Sequence, residues 1–473
     1  MQILIGLKPA VYRDNFGGFG VMELDIKEYG AVDDGVTVNT EVIQNCVDRC
    51  SKEGGIVQIS GGVFVCGTIY LKSNVALRID AGAVLLASPD IADYGEDTHY
   101  NRYRNESDMD RCWIYACDQE NIYIFGEGML NGNAEAFPNI GRKERPMMMR
   151  FLRCKNIHLS GLKLFDAAAW TTAFLDSSYI WVNNVEIRNE KRYNGDGLDF
   201  DGSSHIFVNG CSITGTDDNL CLQAGSKEYA VKDVHISNCE FSSLCAGIRI
   251  GLKSIGEIRN VVIENCTMKR VWREGIKIEC TEGGTISEIL VNNITMRDVS
   301  RPIFVLLNNR FGPEGLGSSL ELKEMPEIGE MKHLFFTNII AMDSKEMETP
   351  HTRFGKDLMG APWFNGIRID AEENHKIEDV TIQNLRYITV GGVKKQEIPA
   401  EYPKVLDRKH YPAQETAENY YPDWSRARYM DIRNVAGVYL ENIVFQSIEE
   451  DEREPYYIEG CEVWKKEIMH ISL

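Results

Sequence analysis

YIWVNNVEI (179–187), HIFVNGCSI (205–213), DVHISNCEF (233–241), NVVIENCTM (260–268) and EILVNNITM (288–296) are one phrase written five times. An apolar alternation runs into an asparagine or glycine bend, and a second alternation follows. The phrase returns as LFFTNIIAM (334–342), VTIQNLRYI (380–388) and VYLENIVF (438–445). Its bend residues are Asn184, Gly210, Asn238, Asn265, Asn293, Asn338, Asn384 and Asn442, so the steps are 26, 28, 27, 28, 45, 46 and 58 residues. Period-two alternation marks half-buried strands. No helical pattern of useful length lies between the phrases to make βαβ units. A propeller blade needs about 40 residues and four strands. A unit of about 27 residues with three short strands is instead one coil of a parallel β-helix, stacked about 4.8 Å from the next.

The expected fold is therefore all-β: a right-handed, single-stranded parallel β-helix of about ten coils, as repeats of this size predict. Before the repeats, TVNTEVIQNCVDRCSKEGG (37–55) reads as one amphipathic helix over about residues 40–53, with apolar Val42, Ile43, Cys46, Val47 and Cys50. Thr40 is its expected N-cap and Gly54–Gly55 its end. Such a helix covers the solenoid's first edge, which would otherwise invite pairing with another chain. The chain reads as a single β-helix domain over 1–473. It comprises an N-terminal extension (1–24), an opening and capping segment (25–90), regular coils carrying the site (145–308), and coils with long insertions (309–473). The insertions fall at 309–333, 343–375 and 389–430.

Composition narrows the function. The 473 residues carry 51 basic and 71 acidic side chains, a net charge of −20. That balance argues against nucleic acid or an anionic membrane surface as partner, since both require a basic footprint. Runs such as IFVLL (303–307) are too short to span a bilayer. The first residues, MQILIGLKPAVYRDNFGG, lack the long apolar core of a secretory signal. Thirteen cysteines, odd in number and scattered without a C-x-x-C pair, read as reduced core thiols. A cytoplasmic location is the expectation.

Two adjacent coils carry acids where chemistry needs them. NGDGLDFDG (194–202) and GTDDNLCL (215–222) align if Leu198 stacks on Leu220. Asp196 then lies level with Asp218, and Asp217 sits at the edge of the same row. Each motif alone is ordinary turn sequence. Together they gather three carboxyls, and glycosidic cleavage needs one acid to protonate the leaving oxygen and one carboxylate to activate water. Three close carboxylates do not all stay ionised, so one pKa is expected to rise.

With these motifs the sequence resembles the polygalacturonase-like family, glycoside hydrolase family 28. DIKEYGAVDDGVTVNT (25–40) looks like the opening of pectin-degrading β-helices. RPMMMRFLRCKNIHLSGL (145–162) and AAAWTT (167–172) look like the coils before the family's active site, and the Asn194 and Asp217 stretches match its Asn-x-Asp and paired-Asp motifs. The resemblance implies hydrolysis with inversion, Asp217 as general acid, Asp196 and Asp218 holding the attacking water, and Asn194 orienting the site. Trp170 falls at a matching position and is a sugar-stacking candidate, against the plainer reading of a core tryptophan. Trp272, Trp363 and Trp424, near expected loops, are further stacking candidates.

Two departures stand out. Where the family has Gly-His-Gly, this chain has Cys245-Ala246-Gly247. Where it has Arg-Ile-Lys, gripping a galacturonate carboxylate, GIKIEC (275–280) places Lys277 and Glu279. Stacking Leu198, Leu220, Ile248 and Ile276 brings Arg249 outward, level with Lys277, Cys221 and Asp199. Arg249 then either restores a cation to the groove or pairs with an acid such as Glu279. The expected substrate is a pectin-derived oligosaccharide cut by an exo-acting galacturonidase. A neutral sugar such as rhamnose is the alternative, and an inactive carbohydrate-binding β-helix or a calcium-dependent lyase are the other classes weighed. No metal site and no cofactor are expected.

Overall fold

In the strand Ser178–Asn183 the alternation of the phrase becomes an alternation of burial, with Ile180 and Val182 inward and Trp181 and Asn183 facing out. Each such strand pairs in parallel with its counterpart one coil on. One inward file on this first face runs Ile180, Ile206, Val234, Val261, Ile289, Leu334, Val380, Val438 in unbroken register. All eight are buried. At about 1.5–3 kcal/mol for each fully buried aliphatic side chain, repetition of one small contact holds the rod together. A computed structural model describes residues 22–98, 111–139, 144–309, 324, 326–348, 350–354, 366–397 and 427–471.

Three faces wind about this core as a right-handed parallel β-helix. The second face includes Glu186–Asn189, Ser212–Gly215 and Glu240–Ser243. The third includes Leu198–Asp201, Leu220–Ala224 and Ile248–Ser254. Later strands run on through the bends, as in Glu257–Cys280 and Thr285–Leu307. On the third face, eleven successive pairings from Ile69–Tyr70 to Tyr456–Glu459 join twelve strands. That exceeds the expected ten or so, because coils such as Gly55–Ile59 and Val75–Ile79 carry no asparagine phrase to announce them.

The bend between first and second faces explains the asparagines. Asn184, Asn238, Asn265, Asn293, Asn338, Asn384 and Asn442 all hold φ between +51° and +57°, and Gly210 holds +67°. Asparagine tolerates this left-handed region better than most residues. Its amide then bonds along the axis: Asn293 donates to Asn265 at 2.7 Å, Asn384 to Asn338 at 2.9 Å and Asn442 to Asn384 at 2.8 Å. At Gly210 a Cβ would lie 2.5 Å from Asn184 Oδ1, so the file passes glycine there.

The helix spans Thr40–Cys50, shorter than expected. Asn39, not Thr40, occupies the cap position, and its amide is spent on the carbonyls of Val32 and Thr37. Ile43, Cys46, Val47 and Cys50 face the core. Gln44 Nε2 donates to Tyr70 O at 3.0 Å, and its Oε1 accepts from Tyr70 N at 2.8 Å. One side-chain amide thus bonds both main-chain groups of Tyr70, in the third face's first strand.

Candidate active site

The expected stacking is the observed register: Leu198, Leu220, Ile248 and Ile276 pair in sequence, and Asp199, Cys221, Arg249 and Lys277 pair one residue on. The acids stand at the bend just before the third face. Two residues ahead of the paired Thr172, Leu198, Leu220, Ile248 and Ile276 come Trp170, Asp196, Asp218, Ala246 and Glu274, one per coil. Main-chain bonds hold the row, with Gly197 N donating to Asp218 O at 3.1 Å and Gly247 N to Glu274 O at 2.9 Å.

Asp218 is gripped on both oxygens. Its Oδ1 accepts from Ala246 N at 3.0 Å, and its Oδ2 accepts from Arg249 Nη1 at 2.7 Å and from the Cys221 thiol at 3.7 Å. Burial pushes its pKa up, but the charges of Arg249 and Lys277 overcome this and hold it well below the usual carboxylate range. Ala246, standing where the resembling family has histidine, contributes its main-chain N–H to this grip. Asp217 is less buried. Its Oδ1 accepts from Asp218 N at 3.0 Å and its Oδ2 from Asn194 Nδ2 at 3.2 Å. Burial and the neighbouring Asp218 charge raise its pKa. The two acids are split in opposite directions, as an acid and a base of one reaction must be.

Arg249 does not stand open in the groove. It bonds Asp218 and also Glu279 Oε2, at 3.2 Å, and Lys277 Nζ lies 3.5 Å from the same oxygen and 3.8 Å from Glu274. The cations expected to grip a substrate carboxylate are engaged by carboxylates of the protein. Trp170 is half-buried and packs against Cys112, Tyr115, Met147, Ala169 and Ala173, at the end of the acid row. Trp272 is half-buried within Glu257–Cys280 and not on a loop. Trp363 and Trp424 lie outside the described residues.

Several neighbours escaped the sequence reading. The Cys245 thiol and oxygens of Asp217 and Asp218 lie within 4.8 Å of one another, and Arg273 Nη1 donates to Cys245 Sγ at 3.7 Å. Burial and the two acids raise the Cys245 pKa, so it stays a thiol. Glu274 was legible in principle, since it precedes Ile276 as Asp196 precedes Leu198. Arg145, fully buried, reaches Asn194 from an earlier coil. No metal-ligand cluster was expected, yet Asp196, Asp199 and Cys221 form a second group within 4.8 Å. In the first group, Arg249 on Asp218 and Arg273 on Cys245 already supply the positive charge a metal ion would bring.

A parallel β-helix whose paired acids are split at the rim of one face is the scaffold of a glycoside hydrolase. The sequence profile described as glycosyl hydrolases family 28 matches residues 58–310, more than half of the chain. The chain belongs to that family. A probable polygalacturonase of Arabidopsis thaliana is 24% identical over 335 residues, covering 68% of this chain and 68% of that protein. An exo-poly-alpha-D-galacturonosidase of Dickeya chrysanthemi is 25% identical over 260 residues, 44% of this chain and 43% of that protein, so less than half the Dickeya protein is matched. The family 28 exopolygalacturonase of Yersinia enterocolitica has the same fold, with a TM-score of 0.66 at 18% identity over 94% of this chain and 78% of that one.

Proposed function

We propose that the chain is an inverting, exo-acting hydrolase that removes terminal galacturonate from short pectin-derived oligosaccharides. The observation that carries this reading is the unequal grip on two adjacent acids. Asp218 accepts from Arg249 at 2.7 Å and from Ala246 N at 3.0 Å. Asp217 accepts from the neutral Asn194 amide and the Asp218 main chain, which goes with Asp217 shifted up and Asp218 shifted down. Asp217 gives its proton to the glycosidic oxygen as that oxygen leaves the anomeric carbon. Asp218, with Asp196 level beside it, takes a proton from the water that attacks the opposite face. The new bond forms on the side away from the broken one, and configuration inverts.

Exo action is supported by how little of the third face is open. Its outward side chains are buried on both sides of the acid row: Tyr115 and Arg150 towards the N-terminus, Phe304, Arg368 and Asp431 towards the C-terminus. Along one rim, Arg353 bonds Glu190 O at 3.2 Å and Phe354 packs edge-on against Tyr193, next to Asn194. A face open over so short a span suits a chain end. The names of the Dickeya and Yersinia relatives point to the same sugar. The odd, scattered cysteines support a cytoplasmic enzyme that receives imported fragments.

A second reading, a neutral terminal sugar such as rhamnose, is favoured by the pairing of Glu279 with both Arg249 and Lys277. One experiment separates them: kcat/KM for di-galacturonate against a rhamnosyl glycoside, with NMR of the first product anomer. Preference for di-galacturonate, with galacturonate released in inverted configuration, is expected. Retention, or release of internal fragments from a polymer, sinks the first reading.

A further inference from the structure

Arg145 precedes the third-face strand Met147–Leu152, two coils before the one that carries Asp196. It is 1% exposed. Its Nη2 donates to Asn194 Oδ1 at 3.0 Å, and its Nη1 donates to Ala168 O at 3.2 Å and to Tyr193 O. From the other end of the same amide, Asn194 Nδ2 donates to Asp217 Oδ2 at 3.2 Å. A side-chain amide can turn end for end at almost no change in shape. A guanidinium has donors and no acceptor. With Arg145 in place the Asn194 oxygen must face it, and the N–H must face Asp217.

We propose that Arg145 is a positioning residue, acting through Asn194 to keep a hydrogen-bond donor, never an acceptor, on the Asp217 carboxyl. The inference rests on the reading of Asp217 as the general acid. When Asp217 yields its proton, the charge left behind meets an N–H already aimed at it. A donor placed on the charged form favours that form. Turned round, the amide oxygen would accept from the protonated carboxyl and hold the proton back. The same guanidinium fixes the Tyr193 carbonyl, so the main chain entering Asn194, whose φ is +60°, is anchored with its side chain. Asp218, Arg249 and Cys245 also act on Asp217, and none of the substitutions below touches them.

The test is the pH profile of kcat/KM in Arg145→Met, Arg145→Lys, Asn194→Leu and the double variant Arg145→Met/Asn194→Leu. Loss of the oriented donor is expected to move the alkaline limb up by about one pH unit and to lower kcat on the order of tenfold, with KM little changed. Arg145→Lys, which keeps a donor at the site, should recover most of both. Because Arg145 acts through Asn194, the double variant should match Asn194→Leu alone. An unmoved limb in a folded Arg145→Met protein overturns the proposal, and so does a double variant shifted by the sum of the two singles. Should Arg145→Met not fold, Asn194→Leu decides, and an unmoved limb there is equally fatal. Asp217→Asn run alongside keeps the two ideas apart. Full activity in it removes Asp217 as the acid, whereas its inactivity with an unmoved limb removes Arg145 only.

Discussion

The third face carries two knots of buried charge, a few coils apart. In one, Asp370 lies between two guanidinium groups, 2.9 Å from Arg368 and hydrogen-bonded to Arg433, with Asp431 3.6 Å from Arg433. In the other, Asp218 and Glu279 share Arg249, and Lys277 stands beside Glu279. Both are carboxylates paired with cations under cover. Their acids titrate in opposite senses. Burial outweighs the two arginines and raises Asp370, whereas Arg249 and Lys277 outweigh burial and depress Asp218. The second knot also leaves a carboxyl, Asp217, on which burial and the neighbouring negative charge outweigh Arg249. Buried ion pairs by themselves are weak evidence of activity or of stability. An unequal grip on two adjacent acids is what the proposed site adds.

That contrast can be broken by substitution. Asp217→Asn should lower kcat by about 10²–10⁴-fold, the usual share of general acid catalysis. Its melting temperature should stay near wild type, because the side chain lies at the rim and not in the core. Asp370→Asn should do the reverse. Leaving Arg368 and Arg433 without their shared carboxylate should cost about 3–5 kcal/mol of stability, measured by urea unfolding, with kcat within a few-fold of wild type. If Asp370→Asn abolished turnover without unfolding, the two knots would be one functional unit.

Next comes pH. In the proposed mechanism, activity needs Asp218 ionised and Asp217 protonated. The depressed pKa of the first sets an acid limb below the ordinary carboxylate range, and the raised pKa of the second sets an alkaline limb above it. Arg249→Met removes the nearest cation from Asp218, so the acid limb should move up by about 1–2 pH units, visible in kcat/KM from low pH upward. An unmoved acid limb would show that Arg249 does not control Asp218. The smallest effect belongs to Glu279→Gln. Releasing Arg249 and Lys277 from one carboxylate should raise kcat/KM for a uronate relative to a neutral sugar by about tenfold, the lower end of what one charged hydrogen bond is worth. A change in the opposite direction would favour Glu279 as a hydroxyl-binding residue for a neutral sugar.

What the sequence disclosed here follows from distance along the axis. Register is a property of neighbouring coils, so once the asparagine phrase had given the coil, stacking Leu198, Leu220, Ile248 and Ile276 was enough to place Asp196 level with Asp218 and Arg249 level with Lys277. Partner choice is not. Arg249 had acids at hand in two coils, and it took both. No spacing rule reveals that Cys245 would lie against Asp217 and Asp218, or that Arg145 would reach Asn194 across 49 residues. The early coils hid for another reason. Between Gly55 and Asn131 no asparagine stands at this bend, and Phe125 leads into Gly126 instead, so the asparagine that announced the later coils is missing there.

The asparagine file has a consequence for how such a protein can change. Asn338 donates to Asn292 across 46 residues of sequence, Asn384 to Asn338 across 46, and Asn442 to Asn384 across 58. The chain wanders much further between these coils than between the earlier ones, yet each amide finds its neighbour at 2.8 to 2.9 Å. Lengthening a loop costs little closure entropy, and the file answers it only by a one-residue change of partner, Asn292 for Asn293, at the first long step. Excursions at the other corners are therefore free to grow, shrink or be exchanged while the spine keeps its pitch. A descendant of this chain can be given a new mouth for a new sugar without refolding a single coil.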